Sequence, residues 1–260
     1  MRTRPIVWIP GMYAGCIAAL VLWLEFNGGM FLAGKIAMLG AIAFPFFLSI
    51  VNYHLETDEM NPRVLLTVAV RGFFPIILPY VILAGIFLVM AFLLSVPLSI
   101  VGYGDDPYAL TGLMLGLGVP AVLFSLYIDN VAVCERKKVF DTLQRSLELV
   151  LGRIGTALWF FLVCALMTAV LSFLGAFMWG MLLADRFTQF IGMNLTEQQE
   201  LFSQYTINDW QNLIGPSGMV ITAVIFGFVT FVLVSFMCTF KYECYQHATD
   251  EMWYVLPGEE

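Results

Sequence analysis

The sequence predicts an all-α polytopic membrane protein with six transmembrane helices, a cytoplasmic amphipathic helix and a partly helical external loop. Three observations predict it. Of 260 residues, 60% are hydrophobic and 12% charged, against about 25% charged in soluble domains. Six apolar runs reach the length of around 20 residues that a helix needs to cross a hydrocarbon core about 30 Å thick. Ten of the twelve basic residues fall in alternate gaps between those runs: Arg2, Arg4, Arg63, Arg71, Arg136, Lys137, Lys138, Arg145, Arg153 and Lys241, with only Lys35 and Arg186 on the other side. Bases collect on the cytoplasmic side, so both termini are expected in the cytoplasm of a multi-pass cell-membrane protein. The net charge of −7 says little about partners, because acidic residues sit mainly in loops and the C-terminal tail while the bases line one membrane face.

The runs cover about 6–24 and 30–53, joined by the turn Asn27-Gly28-Gly29, then about 74–101 and 110–133, joined by the turn-rich 102–107, then about 156–184 and 218–245. The third and sixth, 28 residues each, reach about 42 Å as helix and must tilt or protrude. Pro75, Pro79 and Pro97 are expected to bend the third, since proline removes a backbone donor and crowds the preceding turn. The end of the sixth, with Lys241 and Glu243, is expected to extend into the cytoplasm. No run places a charge at its centre, where one costs about 2.5–3.5 kcal/mol. Glu25 and Lys35 flank the first external turn as interfacial anchors. The start, Met1-Arg-Thr-Arg-Pro followed by an apolar run, reads as an uncleaved signal anchor: Pro10-Gly11 breaks the run, yet apolar character continues past Cys16 to Phe26.

Between the fourth and fifth spans, Val139, Phe140, Leu143, Leu147, Val150, Leu151 and Ile154 recur at helical spacing, with Asp141, Gln144, Arg145, Glu148 and Arg153 opposite. This predicts an amphipathic helix over about 138–152 at the cytoplasmic surface. Arg136, Lys137 and Lys138 precede it as candidate contacts for anionic headgroups, at about 1 kcal/mol per base. A shorter amphipathic piece, 64–71 after Asn61-Pro62, precedes the third span, so span, amphipathic piece and returning span occur twice. That is the pattern of a parallel duplication, without matching residue identities. The external loop 185–216 is too long for a simple turn and is expected to fold back as a cap. Thr196-Glu-Gln-Gln199 has capping-box form, predicting a short helix to about Tyr205, and a second is expected from Asn208 to Leu213, ended by Gly215-Pro216. Asn194-Leu195-Thr196 is a glycosylation sequon on this external side.

An ionisable residue within a span is a functional candidate by default. Asp129, in Tyr127-Ile-Asp-Asn130 near the cytoplasmic end of the fourth span, is the best one. It suits either a cation or lipid-amine site or a structural ion pair with Arg71, Arg136 or Arg145, and the structural pair is the expectation. His54 and His247 lie at cytoplasmic span ends with no spacing that joins them as metal ligands. The five cysteines, Cys16, Cys134, Cys164, Cys238 and Cys244, lie in apolar runs or at their cytoplasmic ends and read as small hydrophobes. No catalytic, cofactor or metal site is expected: metalloprotease, nucleophile-elbow and phosphate-loop patterns do not occur. Rows of small residues, Ala33-Ala37-Ala41 and Gly112-Gly116, are expected to pack within the bundle or between copies.

The stretch Asp129-Asn-Val-Ala-Val-Cys-Glu135, then Lys138-Val-Phe-Asp-Thr-Leu-Gln-Arg-Ser146, then Leu149-Val-Leu-Gly152 resembles a signature of a loose, mainly archaeal group of six-span proteins of unknown function. That group is related to the membrane domain attached to some glycerophosphoryl diester phosphodiesterases. The resemblance implies an acidic end to the fourth span and an amphipathic segment with a Ser and a terminal Gly, here Asp129, Glu135, Ser146 and Gly152. It brings no activity, and implies a membrane module that associates with something else. On the residues alone, Ser146 lies between Leu143 and Val150 where a small side chain permits docking, Arg145 joins the polar set, and Gly152 allows the turn into the fifth span. The expected function is a non-enzymatic scaffold, assembly factor or accessory subunit. Its partners are membrane lipids with a protein partner or second copy, and not nucleic acid. A small-solute transporter is the alternative.

Overall fold

A computed structural model describes residues 5–100, 107–190, 194 and 203–253. Regular structure among them is helical throughout, and six helices are long and apolar enough to cross a membrane. Large apolar side chains face outward along these helices, among them Phe31 at 79% and Phe173 at 71% exposure. A water-soluble surface does not carry such patches, so the fold is that of an all-α, multi-pass membrane protein. The chain divides into two compact units, Met1–Phe44 with Cys164–Met237, and Pro45–Val163 with Cys238–Glu260.

In the first unit, a 3₁₀ turn (Pro5–Trp8) leads into α1 (Ile9–Phe26). Pro10 sits in the first turn of α1, where its missing N–H belongs to donors that have no helical partner anyway. The break expected at Pro10-Gly11 therefore does not occur. Gly28, at φ 74, turns the chain into α2 (Met30–Thr57). Gly11 and Gly15 lie one turn apart on α1, facing Gly227, Phe231 and Ser235 of the last helix, α8 (Ile207–Trp253), so closely that a Cβ on either would overlap that helix. This small-residue row carries the packing. Of the row expected on α2, Ala33 is buried, but Ala37 and Ala41 are exposed on a groove that is largely apolar. In the second unit, a Cβ added at Gly112 or Gly116 would meet no neighbouring element within 4 Å.

The first unit continues with α7 (Ile154–Leu182) from Cys164 onward, where Trp179 Nε1 donates to Thr222 Oγ1 of α8 at 2.7 Å. A 3₁₀ segment follows over Ala184–Phe190. Of the helix expected from Thr196 to about Tyr205, residues 196–202 fall outside the described residues, as does Leu195 of the sequon, while 203–204 are helical and Asn194 itself is exposed. The next helix begins at Ile207. Thr206 and Asp209 cap it reciprocally: Asp209 N–H donates to Thr206 Oγ1 at 3.3 Å and Thr206 N–H to Asp209 Oδ2 at 2.9 Å. Gly215, at φ 67 and ψ 178, interrupts α8 before Pro216, at the place the Gly-Pro pair marks.

In the second unit, α2 closes with Asp58 in the left-handed region at φ 57. Asn61 then caps α3 (Pro62–Ile100), its Oδ1 accepting from the Arg63 N–H at 3.1 Å, with Pro62 at the first helical position. The amphipathic piece 64–71 and the third span form one helix of 39 residues, about 58 Å long, and Pro75, Pro79 and Pro97 stay inside it. The first half of the expected duplication thus has no separate amphipathic helix. Close α2–α3 packing rests on Gly72, where a Cβ would lie 2.9 Å from Ser49 Cβ. Beside it Phe46 and Phe73 stack at 4.4 Å.

The fourth span also departs from expectation. Its helix α4 (Pro107–Phe124) stops short; a short α5 (Ile128–Asn130) follows, then a π-helical turn, Val131–Glu135. Arg136 ends the run at φ 51 and ψ 37, left-handed for a side chain that disfavours it. The amphipathic helix α6 spans Val139–Gly152. Its buried line is Thr142, Ser146, Leu149 and Val150, while Phe140 and Leu151 are 73% and 59% exposed. The apolar sector is wider than the protein contact, so one edge packs on protein and the other faces outward. Gly152 remains helical and exposed; the reversal into α7 falls on Arg153 at φ −138 and ψ 52. The expected glycine hinge is corrected accordingly, because a φ of that sign needs no glycine.

Candidate functional site

The break in the fourth span generates the site. Between α4 and α5 the backbone tightens to i→i−3 bonds, Leu126 N to Leu123 O at 3.1 Å and Ile128 N to Ser125 O at 3.3 Å. Displaced backbone groups in a membrane need other partners. Ser146 supplies two: its Oγ donates to Phe124 O at 2.8 Å and accepts from Tyr127 N–H at 3.3 Å. Tyr80 supplies a third, its hydroxyl donating to Ser125 O at 3.3 Å. Ser146 is therefore a backbone cap from a neighbouring helix as well as a small docking residue. Ser146→Ala leaves those groups unpaired at about 1–3 kcal/mol each and should lower the thermal unfolding midpoint in detergent. An unchanged midpoint would remove Ser146 from this role.

The break also sets Asp129 wholly inside the second unit, 0% exposed. The basic partners expected for it were Arg71, Arg136 or Arg145. Instead Lys241 of α8 holds Asp129 Oδ2 at 2.5 Å, and Asn52 Nδ2 of α2 donates to the same oxygen at 3.2 Å. Lys241 carries the counter-charge inward because its side chain is only 15% exposed. Neither partner was legible, since α2 and α8 lie far away in sequence. The signal that existed was Lys241 itself, a base at the end of an otherwise apolar run.

Glu135 is the second node. It accepts from Arg145 Nε at 3.3 Å and from the Tyr245 hydroxyl at 3.1 Å, and pairs with Lys137 at 3.1 Å. Arg145 also reaches Glu148 at 3.5 Å. Tyr242 donates to Glu56 at 2.7 Å. Lys241, Tyr242 and Tyr245 thus tie α8 to Asp129, Glu56 and Glu135, carried on three different stretches of chain. Of the sequence candidates, the structure brings Asp129, Glu135, Arg145 and Ser146 into one region. Gly152 has no part in it, and Lys138 is an exposed residue at the start of α6.

The same region holds further polar atoms out of water. Asn52 Oδ1, His54 Nε2, Tyr127 Oη, Asp129 Oδ1 and both side-chain polar atoms of Asn130 are buried without a hydrogen-bond partner among the described residues. Native interiors rarely leave such groups unpaired, which marks a polar core inside apolar spans. Among the described residues no group of His, Cys, Asp and Glu is arranged to hold a metal ion.

Near this core, a cavity of about 290 Å³ opens between α2, α3 and the π-helical turn, with Arg71, Arg136 and Lys137 on its wall. No family model matches the chain, and neither a curated protein nor a solved structure is similar to it.

Proposed function

We propose that the protein is a non-enzymatic membrane scaffold, assembly factor or accessory subunit, set in the cell membrane with both termini cytoplasmic, that recognises lipid or a protein partner. The observation that carries this reading is how charge is partitioned in the second unit. The acidic groups within the spans are engaged internally, Asp129 by Lys241 and Glu135 by Arg145, Lys137 and Tyr245. That arrangement braces α6 against its neighbours. Arg71 and Arg136, by contrast, have no carboxylate partner among the described residues and line an open cavity. A braced interior with outward bases suits binding at the membrane surface. The resemblance to the six-span group without activity of its own points the same way.

Purification in mild detergent, with identification of co-purifying proteins and lipids, tests the proposal. A protein partner or a retained lipid class is expected. A clean monomer carrying neither would overturn it, as would hydrolysis of lipid by the purified protein. The unpartnered polar atoms of Asn52, Asn130 and Tyr127 favour one second reading, passage of a small polar solute. In proteoliposomes that reading requires a flux that Asp129→Asn abolishes while the protein stays folded.

A further inference from the structure

The cavity between α2, α3 and the π-helical turn has the chemistry of a headgroup site. Three cationic side chains, Arg71, Arg136 and Lys137, share its wall with Tyr53, while Pro75 and Val133 supply apolar surface. At about 290 Å³ it falls at the lower end of small-molecule sites, which run to about 1,000 Å³. Lys137 is partly neutralised by Glu135 at 3.1 Å, and that carboxylate is shared with Arg145. The two guanidiniums have no such partner among the described residues. Guanidinium is the group best matched to a phosphate, through paired N–H donors in one plane.

Two backbone features independently serve this opening. Arg136 holds φ 51 and ψ 37, a conformation that a glycine would adopt freely and an arginine does not. A strained residue of this kind is retained where its side chain is needed. Gly72, next to Arg71 on α3, lets α2 approach so closely that a Cβ there would overlap Ser49, and both helices contribute to the wall. The half-polar, half-apolar lining suits a ligand with a charged head and an acyl stem better than a free ion.

We infer that this cavity binds the phosphate of an anionic phospholipid headgroup, held between Arg71 and Arg136. The inference rests on the lipid-recognition branch of the proposed function and narrows it to one place. Arg63 is also exposed and basic, at the start of the same helix α3, but does not line the cavity, and so reports general surface charge.

The test uses the full chain in phosphatidylcholine nanodiscs doped with phosphatidylglycerol, with bound lipid counted by native mass spectrometry. Wild type and R63Q should retain phosphatidylglycerol. R71Q and R136G should each lose retention by roughly tenfold, the loss of one charge-assisted contact. R136G relaxes the left-handed residue, so it should melt no lower than wild type and separates binding from folding. Wild-type retention by both R71Q and R136G would overturn the cavity while leaving lipid recognition by the protein standing. An equal loss in R63Q would overturn it in favour of diffuse charge. Inorganic phosphate displacing the lipid at comparable concentration would assign the cavity to a free anion instead. A wild type holding neither lipid nor protein partner would instead sink the broader reading.

Discussion

Lys241→Met is expected to cost about 3–5 kcal/mol, the penalty for stripping one partner from a buried ion pair. The reason lies in what remains. Asp129 is fully enclosed, and Asn52 alone is a poor counterweight to a carboxylate that water cannot reach. Asp129→Asn should cost less, because it removes the charge that needs Lys241 and leaves a partly exposed ammonium free to turn toward solvent. Asp129→Leu combined with Lys241→Met should recover most of the loss, since a packed apolar pair replaces an ionic one at little net cost. Thermal unfolding in detergent ranks these variants. A Lys241→Met midpoint close to wild type would show that the pair is not holding α8 to the fourth span. The double variant matters as much, because only a coupled pair gives a non-additive result.

Gly15→Ala should destabilise by about 1–3 kcal/mol, the range for overfilling a packed interface. The new methyl would lie 2.5 Å from the Gly227 carbonyl oxygen and 2.8 Å from Phe231 Cβ. Neither is the mobile end of a side chain, so the helices must separate to admit it. The same exchange at Gly112, which has open space around it, should change stability in the other direction by up to about 1 kcal/mol, since alanine is the better helix former. Opposite signs at two glycines of this chain isolate packing from propensity. If both exchanges stabilise, the α1–α8 contact is looser than described.

Helix identity was legible because apolar length is a one-dimensional property, and all six long helices overlap the runs read from composition. Helix ends and breaks were less so. The fourth span breaks after Phe124, at Ser125-Leu-Tyr127, where Ser146 and Tyr80, from elsewhere in the chain, satisfy the backbone groups that the break releases. No local pattern announces such rescue. The prolines of α3, read as places where the third span bends, lie inside one continuous helix. The small-residue rows read from sequence lay on α2 and α4, whereas the row that meets a neighbour is Gly11 and Gly15 on α1, because spacing alone does not say which face is packed. For the candidate site, Asp129, Glu135, Arg145 and Ser146 were identifiable from position and resemblance. Lys241, Asn52, Tyr242 and Tyr245 were not, because pairing across distant helices leaves no trace in spacing.

The Asp129–Lys241 pair bridges 112 positions of chain, and that separation is also a delay. At about 5–20 residues synthesised per second, Lys241 emerges roughly 6 to 22 s after Asp129. For that interval the fourth span sits beside the bilayer with a carboxylate that has not met its counter-charge. The last span to be made therefore completes the electrostatics of the middle of the chain, and a polypeptide cut short before Lys241 keeps an uncompensated charge as the mark of its incompleteness.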